Sequence, residues 1–101
     1  MSVRPDPPSL LNVWHEPNKG RFKLAWNNTS SNEQGFKIER RFDWDPEFVE
    51  VGAVGPNASY FYDYVVPENP GGYANVVWYR IKAYNPAGFL YSLEVDIPIH
   101  E

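Results

Sequence analysis

Between positions 77 and 85 the chain alternates: Val77, Tyr79, Ile81 and Ala83 are apolar or aromatic, and Arg80 and Lys82 fall between them. A period of two sends successive side chains to opposite faces of a pleated strand, so this stretch reads as a strand with one buried and one wet face. The same pattern recurs upstream. Leu11 and Val13 alternate with Asn12 and Trp14, and Phe22, Leu24 and Trp26 alternate with Lys23 and Ala25. Phe36, Ile38 and Arg40 alternate with Lys37, Glu39 and Arg41. Residues 48–54 alternate with less distinct faces, as an edge strand does, and Glu50 there discourages edge-to-edge pairing. A short strand is expected over 59–62. The last is expected over 89–97, with Leu93, Val95 and Ile97 inward and Glu94 and Asp96 outward, until Pro98 ends it. Helical spacing is sustained nowhere.

Turn chemistry separates these runs. Segments 16–20, 27–35, 43–46 and 55–57 are rich in Gly, Pro, Asn, Asp and Ser, and 85–88 places Pro second and Gly last, as a tight hairpin requires. Residues 63–75 hold two prolines and two glycines, a connection long enough to cross from one sheet to another. Seven short strands at this spacing predict an all-β, antiparallel, two-sheet sandwich. Its expected core contains Leu11, Val13, Phe22, Leu24 and Trp26 from the first two strands, then Phe36, Ile38 and Tyr62. Val77, Tyr79, Ile81 and Ala83 follow from the sixth strand, with Leu93, Val95 and Ile97 from the last. Trp26 is expected at the centre, where its indole N–H needs an acceptor.

With 101 residues the chain has the size of one domain, enough to bury roughly two thirds of the surface exposed when unfolded. Residues 1–7 contain two of the first three prolines and read as an extended lead-in, 8–98 as the domain and 99–101 as a tail. The 17% aromatic content suits half-buried pleated surfaces. A net charge of −4 opposes phosphate backbones and anionic lipid, so neither nucleic acid nor membrane is an expected partner. The absence of cysteine removes disulfides and thiolate metal sites.

Catalytic chemistry has few candidates. Asp43 with Asp45, and Glu94 with Asp96, are the neighbouring carboxylates, but the first pair flanks a turn and the second faces solvent. His15 and His100 stand alone, and the glycines at 71 and 72 lack the lysine of a phosphate loop. No catalytic residue, metal ligand or cofactor is expected. The triplets at 27–29, 28–30 and 57–59 match the N-glycosylation pattern, which turn-forming Asn and Ser also produce.

Several motifs together resemble those of the fibronectin type III family over nearly the whole chain. They are residues 8–11, Leu-Ala-Trp at 24–26, Gly-Phe-Lys-Ile-Glu-Arg at 35–40, Tyr-Asp at 62–63, and Tyr-Arg-Ile-Lys-Ala-Tyr-Asn at 79–85 followed by Gly88. The phrasing is most similar to that of bacterial and phage members. The resemblance implies an immunoglobulin-like sandwich with a non-enzymatic structural or protein-interaction role. Three positions depart from the family. Val77 stands where a tyrosine usually closes a corner with its hydroxyl, leaving either Tyr73 as its substitute or no corner. Leu90 replaces a small polar residue, and no Arg-Gly-Asp is present.

The aromatic residues outside the expected core point to a partner. Trp14 and Trp78 fall on outward positions, Trp44 sits in the acidic turn, and Phe89 and Leu90 adjoin the last hairpin; clustered exposed rings are characteristic of contact surfaces. The competing reading of Trp78 is a stack on Arg80 or Lys37. As a complete protein, the chain is expected at a virion surface, bound to a capsid or tail protein as a decoration or accessory component. As a domain of a larger secreted chain, it is expected outside the cell beside a neighbouring domain of a glycoside hydrolase or adhesin, as a spacer. Direct carbohydrate binding through Trp14, Trp44 or Trp78 is a third expectation.

Overall fold

The computed structural model describes residues 9–27 and 33–99, and for Leu10 the backbone only. The lead-in over 1–7, all of the first two glycosylation triplets except Asn27, and the end of the tail lie outside the described residues. Ten strands are found among the described residues: β1 (Ser9–Glu16), β2 (Arg21–Asn27), β3 (Gly35–Phe42), β4 (Val49–Val54), β5 (Tyr60–Asp63), β6 (Glu68–Asn69), β7 (Gly72–Tyr73), β8 (Val76–Asn85), β9 (Gly88–Tyr91) and β10 (Val95–Pro98). One sheet has the order β1-β2-β5, and the other β10-β8-β3-β4 with β9 also on β8.

The count exceeds seven for two physical reasons. The connection between the sheets carries its own small antiparallel pair, β6 and β7, folded at Gly72, whose φ of 121° favours glycine. The last strand is also broken. β9 pairs with the second half of β8 and β10 with the first, and between them the hydroxyl of buried Ser92 accepts the Ile81 N–H at 2.9 Å while its own N–H donates to the Ile81 carbonyl at 2.8 Å. That break shifts the alternation. Leu93, expected in the core, is 87% exposed, whereas Val95 and Ile97 resume packing against the core.

Elsewhere the period of two sets the interior. Phe22, Leu24 and Trp26 from β2 face Phe36, Ile38 and Phe42 from β3 and Val77, Tyr79, Ile81 and Ala83 from β8. Val13 is buried with them and Leu11 packs at the margin. Trp26 meets Phe36 edge-on with centroids 5.8 Å apart, and its indole N–H finds no acceptor among the described residues. Tyr62 is a correction. β2 pairs Lys23 with Tyr62 and Leu24 with Phe61, so Phe61 points inward and Tyr62 outward, beneath the Arg21 guanidinium at 4.0 Å. Aromatic residues at 60, 61 and 62 occupy both faces of β5 and hide its phase from the sequence.

Arg40, a charged residue on the inward face of β3, has a buried counterpart. Its Nη1 donates to Asp63 Oδ2 at 2.6 Å, and the Tyr79 hydroxyl donates to the same oxygen at 2.6 Å. Burial, and then the Asp63 charge, push the Tyr79 hydroxyl well above the usual tyrosine range. Tyr73 is exposed and its hydroxyl has no hydrogen-bond partner among the described residues, so the substitute-corner role is not what the structure shows.

Candidate functional site

The outward face of the larger sheet interleaves rings and cations. Strand register sets Arg41 beside Trp78, Glu39 beside Arg80 and Lys37 beside Lys82. The Arg41 guanidinium lies 4.1 Å from the Trp78 ring centroid, so this ring is covered by Arg41 and not by Arg80 or Lys37. Arg80 lies 4.2 Å from Phe48 and 4.0 Å from Tyr91, and Lys82 lies 4.2 Å from Phe89. With Arg41 also 6.0 Å from Phe48 and Lys82 5.9 Å from Tyr91, the stripe runs from Trp78 to Phe89. Glu39 accepts from Arg80 Nε at 2.7 Å, and Glu50 pairs with Lys37 at 3.6 Å. Burial, with the Glu39 charge behind it, raises the pKa of Tyr91. Arg41 and Lys82 have no carboxylate within ion-pair distance among the described residues.

The outward face of the smaller sheet carries a second set of rings. Register aligns Trp14, Lys23 and Tyr62 across the three strands. Tyr60 and Tyr64 continue the Tyr62 line at i−2 and i+2, with centroid separations of 5.6 and 6.4 Å. Trp14 is 47% exposed, Tyr60 58% and Tyr64 66%. Arg21 is fully engaged here: its Nε donates to Glu16 at 2.6 Å, which lowers the Glu16 pKa and raises its own, and its Nη1 donates to the Tyr64 hydroxyl at 3.0 Å.

The expected contact residues thus divide between two opposed faces. Trp78 and Phe89 share the larger sheet, Trp14 lies on the smaller one, and Leu90 pairs with Ala83 at the sheet margin. Trp44 turns back onto Phe42, centroids 5.1 Å apart, and remains 37% exposed. Its flanking acids serve the fold. Asp45 Oδ2 accepts the Phe42 N–H at 2.9 Å, and the Asp43 carboxylate accepts the side-chain amide of Asn75 at 3.1 Å. The sequence reading missed Phe48, Tyr60, Tyr64 and Tyr91; the spacing of 60, 62 and 64 on alternate positions was the available signal.

Other chemistry has little geometry behind it. Glu94 and Asp96 are exposed on the sheet margin, and His15 stacks on Phe22 at 4.5 Å. Among the described residues, no three potential ligands gather closely enough to share a metal ion. An apolar cleft of about 180 Å³ lies at one end of the sandwich, lined by His15, Pro17, Val65, Pro67, Tyr73 and Ile99 among others.

No model of a known protein family matches the sequence, and no curated protein matches it. Solved structures do. An Fn3-like protein from Clostridium thermocellum superposes with a TM-score of 0.68 at 16% identity, over 91% of this chain and 90% of that one. The FN1–FN3 domains of chicken CNTN1 give a TM-score of 0.74 at 16% identity, over 95% of this chain and 32% of that one. A beta-1,2-glucanase from Parabacteroides distasonis gives 0.72 at 16% identity, over 96% of this chain and 13% of that one. Two antiparallel sheets in the orders found here, joined by the crossing connection and superposing on these structures over 91% and more of this chain, make this a fibronectin type III fold.

Proposed function

We propose that the chain is a non-enzymatic interaction module that docks onto another protein or a neighbouring domain through the outward face of its larger sheet. The supporting observation is the continuous stripe from Trp78 through Arg41, Phe48, Arg80, Tyr91 and Lys82 to Phe89. Rings and guanidinium groups supply large contact area at small conformational cost, and a partner that covers them desolvates several cation–ring pairs together. Two settings suit such a module: the surface of a virion, against a capsid or tail protein, and an extracellular chain, as a spacer beside a catalytic or adhesive domain.

Photo-cross-linking tests this reading. With p-benzoylphenylalanine at position 89 in the producing cells, one discrete adduct is expected that is missing when the same group is placed at Leu93. Against the partner so identified, Trp78→Ala is expected to weaken binding by ~2 kcal/mol or more. Absence of an adduct at 89, or full-strength binding by Trp78→Ala, removes the larger sheet from this role.

A further inference from the structure

The outward face of the smaller sheet differs in chemistry from the stripe on the larger one. Its rings, Trp14, Tyr60, Tyr62 and Tyr64, all join an apolar body to a polar edge. Among the described side chains at outward positions of β1, β2 and β5, the largest aliphatic one is Ala25. A pyranose presents the matching surface, a face of C–H bonds bordered by hydroxyl groups. Aromatic rings cover the first, and phenol, indole and amide groups meet the second.

Lys23 makes the assignment more specific. It stands between Trp14 on one neighbouring strand and Tyr62 on the other, with its ammonium 5.3 Å from the Trp14 ring. The adjacent Arg21 is neutralised by Glu16, whereas no carboxylate lies within ion-pair distance of Lys23 among the described residues. The chain as a whole carries −4, so a cation outside any ion pair, set among amphipathic rings, is a local exception to a field that repels anions. We propose that this face binds a polysaccharide containing uronic-acid residues, its sugar rings stacked on Trp14 and Tyr60 and one carboxylate paired with Lys23. A single ammonium suits one carboxylate per sugar; a densely sulfated chain requires a cluster of cations. The site lies on the opposite face from the docking stripe and stands independently of it.

Native gel electrophoresis through polygalacturonate, with hydroxyethylcellulose as the neutral counterpart, tests the proposal. Wild-type protein should be retarded more strongly by polygalacturonate. Lys23→Gln should lower the apparent affinity about tenfold, and the Trp14→Ala/Tyr60→Ala pair should lose at least as much, with melting temperatures close to wild type. Leu93→Ser, on a side chain remote from the face, should migrate as wild type does. Wild-type migration unaffected by polygalacturonate overturns the proposal. Equal retardation by both polymers with no effect of Lys23→Gln overturns the uronate assignment. Retardation that survives loss of both rings reduces the interaction to general charge attraction and also overturns it.

Discussion

The Tyr79 hydroxyl on β8 donates a 2.6 Å hydrogen bond to the carboxylate of Asp63 on β5, so the two sheets are joined inside the core by a polar contact. Arg40 on β3 donates to the same oxygen. Strand pairing places Arg40 opposite Tyr79 and Asp63 opposite Phe22, which brings all three groups to one level of the sandwich. A buried carboxylate is costly alone, and here two donors, one of them cationic, replace its water.

Removing that carboxylate strands its partners. Asp63→Ala leaves Arg40 and Tyr79 buried without an acceptor, and breaking a buried pair costs about 3 to 5 kcal/mol. The Arg40 side chain keeps 17% exposure, so a loss nearer ~2 to 4 kcal/mol is expected in urea unfolding. Asp63→Asn, which retains an acceptor, should lose less. A change under ~1 kcal/mol for Asp63→Ala would show that the contact contributes little.

Tyr79 should also make the fold alkali-sensitive. Below about pH 10 its hydroxyl is protonated in both folded and unfolded chains, so it adds no pH dependence. Above that, the unfolded chain releases the proton while the folded one, with its pKa raised, holds it. Stability must therefore fall as pH rises, by up to ~1.4 kcal/mol per pH unit from this one group. Unfolding free energies of wild type and Tyr79→Phe between pH 9 and about pH 11 should diverge in slope, with the variant flatter.

Gly52 makes room for the opposite sheet. On β4 it pairs with Ile38 of β3, and a methyl group added there would overlap the Phe61 ring that reaches across from β5. Gly52→Ala is expected to cost about 1 to 3 kcal/mol, the range for overpacking. Phe61→Leu in the same chain should recover part of that loss, and strict additivity of the two substitutions would refute the contact as the cause.

Ser92 holds the break in the last strand. Its hydroxyl is the acceptor for the buried Ile81 N–H, so Ser92→Ala should destabilise by about 1 to 3 kcal/mol through an unsatisfied donor. Ser92→Thr retains the hydroxyl. Faster hydrogen exchange at the Ile81 amide in Ser92→Ala, with little change in Ser92→Thr, is the accompanying signature.

Trp44 tests the division between folding and contact. Packed on Phe42, it should contribute to stability, and Trp44→Ala is expected to cost about 1 to 2 kcal/mol in thermal or urea melts. An unchanged melting curve together with weakened binding to the cross-linked partner would restore the contact role that its place in an acidic turn suggests.

The alternation of apolar and polar residues was sufficient for β2, β3 and β8, because each has large side chains on one face and charged ones on the other, and only one phase buries them. It determined Phe22, Leu24, Trp26, Phe36, Ile38, Val77, Tyr79, Ile81 and Ala83 as interior, and with them the two-sheet architecture. The phase of β5 was not legible, since aromatic residues occupy both faces at 60–62 and only pairing with β2 sends Phe61 inward. Leu93 was misread for a related reason: the hydrogen bonds that break its strand involve Ile81, a residue on a different strand. The same holds for the partners of Asp63, and for the cations seated on Trp78, Tyr91 and Phe89. Periodicity reports whether one residue is wet or dry; which groups meet depends on the register of strands distant in sequence, and that is decided only when the sheets assemble.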